Sequence, residues 1–226
     1  MKIRKILCLL AMCLLISFTG QSKNIVDYFL DMPLTLMPTL ESSYRVELVE
    51  NYQQLQRDTL QNRFGTTVKL LKLDTLNQNI AVRSTSSSRF EMQVFEHQND
   101  TLIGIINTVC APICSSYIKF YDTDWNEVKV DFPKFSYKSW LKYSLSDEEK
   151  ETVEKIVKVS FIEYAFNSNE NVVNVKNNSL DFLGEEDILK VADFLTSAPL
   201  KVPFEKVQKM NTFHKKRTNS VSLSPN

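Results

Sequence analysis

The sequence predicts an α+β fold: an antiparallel meander sheet of about five strands plus a later hairpin, with helices packed on one face. Three observations carry that expectation. Between about Thr59 and Tyr121 apolar residues recur at every second position, the turns between those runs are too short for crossover connections, and helical spacing brackets the region on both sides.

The first helix is read from Ile25, Val26, Phe29 and Leu30, with Asn24 as its N-cap and Pro33 as its stop. A second begins near Ser42 or Ser43 and carries the stripe Tyr44, Leu48, Val49 and Tyr52. Strands follow at Val68 and Leu70, at Ile80 and Val82, and at Phe90, Met92 and Val94. A nearly continuous run from Leu102 to Ile106 reads as a central strand. Polar turns at Asp74 to Asn79, Thr85 to Ser88 and His97 to Asp100 join them. Arg83, Arg89, Glu91 and Gln93 alternate with the apolar set, which predicts a sheet with one wet face. Beyond the sheet, Ser146 and Glu149 form a capping box, Phe161 to Phe166 and Val172 to Val175 a hairpin, and Glu185 to Leu195 a last helix.

Lys2, Arg4 and Lys5 precede an apolar run from Ile6 to Phe18, and small or polar residues follow it. That is the layout of a signal peptide. The run is about 13 residues, short of the roughly 20 that span a bilayer. Residues 1–20 are therefore read as a signal peptide cut between Thr19 and Ser22, with Cys8 and Cys13 as apolar filler inside it. Residues 21–210 are read as a single α+β domain, and 211–226 as a disordered basic tail around His214, Lys215, Lys216 and Arg217. Cleavage leaves 24 basic against 27 acidic residues, a net charge of −3, and so removes the electrostatic footprint of a nucleic-acid binder.

Two cysteines remain, in Thr108-Val109-Cys110-Ala111-Pro112-Ile113-Cys114. An oxidising compartment favours a structural disulfide between Cys110 and Cys114 over a redox-active dithiol or a metal site. Nucleophilic catalysis finds little support: the chain has two histidines, His97 in a turn and His214 in the tail, and the serines from Ser84 to Ser88 lack a glycine elbow. Asp122, Asp124 and Asn126 mimic the start of a calcium loop, yet Glu127 and Pro133 stand where glycine and glutamate are required. That segment is read as a turn with Trp125 against the core. Glu91 and Glu96 have no context that nominates a carboxylate pair. No catalytic, cofactor-binding or metal-binding residue is therefore assigned.

The landmarks Met32-Pro33, Met37-Pro38, Arg45 to Val49, Thr108 to Cys114, Ile118 to Trp125 and the Glu185-Glu186-Asp187 helix resemble an uncharacterised family of secreted proteins of the Bacteroidales. The resemblance implies an envelope or secreted location and supplies no catalytic residue. With that lineage, Asp58-Thr59-Leu60, Asp74-Thr75-Leu76 and Asp100-Thr101-Leu102 fit an Asp-Thr-apolar O-glycosylation pattern. Thr59, Thr75 and Thr101 are the candidate acceptors. The expected function is a non-catalytic binding or assembly module, periplasmic or secreted, whose partner is an envelope protein or glycan. No nucleic acid, cofactor or membrane anchor after cleavage is expected. The rivals are a thiol-disulfide redox protein using Cys110 and Cys114, and an unrecognised envelope hydrolase.

Overall fold

The computed structural model describes residues 23–97 and 100–209. Residues 1–20, expected to be a signal peptide, and residues 211–226 with His214, expected to be a disordered basic tail, lie outside the described residues. Helix α1 (Ile25–Asp31) starts where expected, because Asn24 Oδ1 accepts from Val26 N at 2.7 Å while Asp27 returns a carboxylate to the Asn24 N–H at 2.8 Å. This reciprocal cap satisfies two N–H groups that a helix start otherwise leaves unpaired. Helix α2 (Ser42–Leu55) ends at Gln56 in the left-handed conformation.

Six antiparallel strands follow in sequential order: β1 (Thr59–Gln61), β2 (Thr67–Asp74), β3 (Asn79–Thr85), β4 (Ser88–His97), β5 (Asp100–Cys110) and β6 (Cys114–Tyr121). The extra strand is β1, a three-residue edge paired with β2. Helices α1 and α2 pack on one face of this sheet. Ile25, Phe29, Leu48 and Val49 there meet Val68, Leu70, Ile80, Val82, Phe90, Met92, Ile103 and Ile105 in one apolar cluster. The stripe of α2 differs from expectation at two positions: Arg45 is buried and Tyr52 is exposed.

The opposite face was expected to be wet; Arg83 there is exposed and Arg89 half-buried, but at Glu91 and Gln93 the structure corrects the expectation. Glu91 is 6% and Gln93 3% exposed, because a second sheet lies over them. That sheet has the order β7 (Ile162–Asn167), β8 (Val172–Asn177), β9 (Leu200–Pro203), so the expected hairpin gains a third strand. Helices α3 (Asp147–Ile156, capped by Ser146 and Glu149) and α4 (Glu185–Val191) pack with it. A 3-10 turn over Ala192–Phe194 completes the segment expected as one helix to Leu195. Phe95, Leu102, Ile106 and Phe120 of the large sheet meet Phe166, Val173, Val175 and Val202 of the small one in a second cluster. Gly104 allows the close approach. A Cβ there would lie 2.7 Å from Phe95 Cε2 and 3.0 Å from Phe166 Cζ.

Candidate functional site between the two sheets

Strand β4 runs along the interface between the sheets and carries two polar regions. The first is a seam at its Arg89 end. Phe166 on β7 donates its N–H to Glu91 Oε2 at 3.0 Å, and Tyr164, two residues earlier, donates to Ser116 Oγ at 3.1 Å. β7 is an edge strand whose outward N–H groups have no neighbouring strand to receive them. Side chains of the large sheet replace that missing acceptor row.

Each acceptor is held in turn. Arg89 donates from Nε to Glu91 Oε1 at 2.8 Å and from Nη2 to Glu163 Oε1 at 3.0 Å. Asn178 Nδ2 reaches Glu163 Oε2 at 2.9 Å and the Cys114 carbonyl at 3.0 Å, and Thr108 and Ser116 share a hydrogen bond of 2.8 Å. Burial pushes the Glu91 carboxyl up, and Arg89 with the Phe166 N–H offsets part of that rise. Burial alone would lower Arg89, but Glu91 and Glu163 outweigh it and leave the guanidinium raised. The acid with the most perturbing surroundings in this region is therefore occupied by structural bonds, and Glu96 lies five residues, or about 17 Å, further along the strand.

Cys110 and Cys114 face each other in register at the far ends of β5 and β6 and are joined by a disulfide with a Cα–Cα distance of 3.9 Å. Strands flank the pair, so neither sulfur has a helix N-terminus to favour a thiolate. Thr59 and Thr75 are exposed, at the start of β1 and in the β2–β3 turn; Thr101 is half-buried within β5. His97 is the last residue of β4 and pairs in register with Asp100. Asp122 is spent on its own turn, accepting from Asp124 N at 3.0 Å and Asn126 N at 2.9 Å. Trp125 packs on Tyr28 and Tyr121. Among the described residues no group of three or more His, Cys, Asp or Glu converges to hold a metal ion.

The second polar region is a cleft of about 700 Å³ at the other end of β4. The β2–β3 turn, the β7–β8 turn and the residues after β9 wall it. Phe204 forms part of the wall, edge-on to Phe95 at a centroid distance of 4.9 Å and held by its N–H to the Asn171 carbonyl. Glu96, Glu170 and Glu205 line the cleft, Glu170 being paired with Lys201 at 2.6 Å, and Leu76 contributes an apolar side chain that is 93% exposed. Gln93 spends its amide N–H groups on the Asn77 and Val94 carbonyls, and its Oε1 is buried without a partner among the described residues. An acidic, partly apolar cleft of this size suits a ligand or chain segment bearing cationic or N–H donor groups beside an apolar one. Reading the sequence does not find this cleft, since its walls come from four separate segments spread from Leu76 to Glu205. The one local signal is Leu76, an apolar residue inside an otherwise polar turn.

The model of a family described as "Protein of unknown function (DUF3256)" matches residues 17–207. A solved structure of a domain of an uncharacterized protein from Porphyromonas gingivalis W83 is similar with a TM-score of 0.71 and 18% identity, over 83% of this chain and 99% of that chain. At that identity the likeness shows the fold. No curated protein matches.

Proposed function

Because the chain belongs to this family of proteins of unknown function, we propose its role from the site: a non-catalytic binding or assembly module of the cell envelope, periplasmic or secreted, that engages its partner through the inter-sheet cleft. The observation that carries the reading is the cleft itself, where exposed Leu76 stands beside the carboxylates of Glu96, Glu170 and Glu205. The Cys110–Cys114 disulfide is compatible with an oxidising compartment reached by way of a signal peptide at residues 1–20. No helix among the described residues is long and apolar enough to cross a membrane. Residues 21–210 act as one domain in this reading, since the seam bonds tie the two sheets together. Thr59 and Thr75, both exposed, are the acceptors best placed for a glycan, ahead of half-buried Thr101. The redox and hydrolase alternatives gain nothing from the geometry, because strands flank the disulfide and Glu91 is tied into the seam.

The test is capture from the native envelope by tagged mature protein. Leu76→Asp and Phe204→Ala should each abolish capture of the partner that wild type retains, while His97→Ala leaves it intact. Capture unaffected by both cleft substitutions, or hydrolysis of an envelope glycan lost with one acidic substitution, overturns the reading. In the same preparation the mature chain should begin between Gly20 and Lys23, with a mass excess that falls when Thr59, Thr75 and Thr101 are replaced by alanine.

A further inference from the structure

Every charged residue that lines the inter-sheet cleft is acidic: Glu96, Glu170 and Glu205 are there, and no lysine or arginine is. Lys201 neutralises Glu170 at 2.6 Å. Glu96 and Glu205 are exposed and form no ion pair among the described residues, so the cleft keeps two negative charges in excess. Both belong to a lining that also holds apolar surface, with Leu76 93% exposed and Phe204 partly so.

The chain leaves the described fold close to this cleft. Glu205 precedes Lys209, the last described residue, by four positions, at most about 14 Å of extended chain. Lys209 is fixed in place: its Nζ holds Asp100 at 2.7 Å and its backbone bridges to Val130. Asp100 in turn pairs in register with His97, the neighbour of Glu96. The point of departure therefore lies a short stretch of chain from both unpaired carboxylates.

Residues 210–226 lie outside the described residues. Their sequence contains no acid and begins Met210-Asn211-Thr212-Phe213-His214-Lys215-Lys216-Arg217. An aromatic residue directly ahead of a basic run is the complement of a cleft that sets carboxylates beside an apolar surface. Phe213 to Arg217 stand four to eight positions beyond Lys209, a reach of up to about 14 to 28 Å.

We propose that residues 213–217 dock in the cleft of their own chain, with Phe213 on the Leu76 and Phe204 surface and the cations of Lys215, Lys216 and Arg217 toward Glu96 and Glu205. The consequence, that an incoming partner must displace this segment, rests on the reading of the cleft as the partner site. Exposed ion pairs are individually weak. A short tether nevertheless holds the segment at an effective concentration in the millimolar range, so a weak contact suffices. A second copy of the chain, supplying the same residues at micromolar concentration, has no such advantage.

The test compares the full mature chain at low ionic strength with a variant carrying Lys215→Gln, Lys216→Gln and Arg217→Gln. The amide resonances of Leu76, Asn77, Glu96 and Glu205 should differ between the two, while those of Ser42 to Arg45, on the other face of the large sheet, coincide. Screening should erase most of the difference in about 1 M salt, where the Debye length is about 3 Å. Carbodiimide coupling of an equal mixture of isotope-labelled and unlabelled wild type should join Lys215 or Lys216 to Glu96 or Glu205 within single copies. Identical spectra for wild type and variant, a difference indifferent to salt, or coupling only to carboxylates outside the cleft overturns the proposal, and coupling only between labelled and unlabelled copies assigns the contact to a second molecule and overturns it as well. No partner is present in these measurements, so their failure leaves the cleft to be judged by the capture experiment, and failure of capture leaves the docking to be judged here.

Discussion

The two faces of the large sheet are covered by different kinds of element, and the interfaces differ accordingly. On one face, α1 and α2 bring Ile25, Phe29, Leu48 and Val49 onto an apolar surface, and the helices need little else from the sheet. On the other, β7 arrives as an edge strand, and the sheet must present Glu91 and Ser116 as acceptors for Phe166 and Tyr164. A helix satisfies its own backbone, whereas an edge strand carries N–H groups that must be met from outside. The polar seam is the consequence of covering a sheet with a sheet.

The sharpest way to break this comparison is to remove the central acceptor. Glu91→Ala leaves Phe166 N–H without its partner and Arg89, whose side chain is 32% exposed, with one of its two ion pairs. Losing one partner of a fully buried charged pair costs about 3–5 kcal/mol, and solvent screening of Arg89 brings the expected loss to the lower end of that range. Urea unfolding should show a loss of that size for Glu91→Ala and a smaller one for Glu91→Gln, which keeps an oxygen for Phe166. A loss below about 1 kcal/mol, no more than an ordinary neutral hydrogen bond contributes, would mean that the seam does not hold the small sheet.

Packing on this same face is as exacting as its polar bonding. Gly104→Ala drives a methyl group into Phe95 and Phe166, and overpacking of this kind costs about 1–3 kcal/mol. Chemical denaturation should place the variant in that range, and a neutral outcome would show that the aromatic contacts between the sheets yield easily. The disulfide closes the hairpin end, where the Cys114 carbonyl meets the edge of the seam through Asn178 Nδ2. Replacing Cys110 and Cys114 by serine should lower stability by about 2 kcal/mol on loop-closure grounds, with the sheet contacts retained in the amide spectrum.

These differences also decide what was legible in the sequence. The helix-covered face is plain in the alternation of Val68, Leu70, Ile80, Val82, Phe90 and Met92, because apolar burial writes itself at every second residue. Glu91 and Gln93 fill the other parity and have the composition of a wet face. Their true surroundings depend on β7, with Phe166 75 residues away. Arg45 was likewise hidden by its type, since a charged residue on a helix reads as solvated until its burial is seen. β9 offers only Leu200-Lys201-Val202-Pro203, too short for a periodicity to register. The cleft was illegible for a related reason: Glu96, Glu170 and Glu205 gain their meaning from tertiary placement alone.

The smallest expected effect is a pH dependence of opposite sign in the seam and in the turns. The folded state raises the pKa of Glu91, so it binds the proton more readily than the unfolded chain. Between the unfolded carboxylate value and the raised folded value, this group therefore makes the protein more stable as pH falls. Asp74 and Asp122 act in the other direction. Hydrogen bonds from Asn77 hold Asp74 low. Burial works against Asp122, but bonds from Asn126 and Asp124 outweigh it and hold that carboxyl low as well. Their stabilisation is complete above the unfolded carboxylate value and drains away as pH falls through their lowered folded values. The advantage in melting temperature of wild type over Glu91→Gln should therefore widen between about pH 7 and pH 5, since the glutamine carries no buried charge to be relieved. Below about pH 4 both proteins should lose stability together, and Asp74→Asn with Asp122→Asn should flatten that decline. A difference between wild type and Glu91→Gln that stays constant from neutral to acid pH would mean that Arg89 cancels the burial of Glu91 in full, and the seam would then behave as a neutral interlock whose hydrogen bonds alone distinguish it from the helix-covered face.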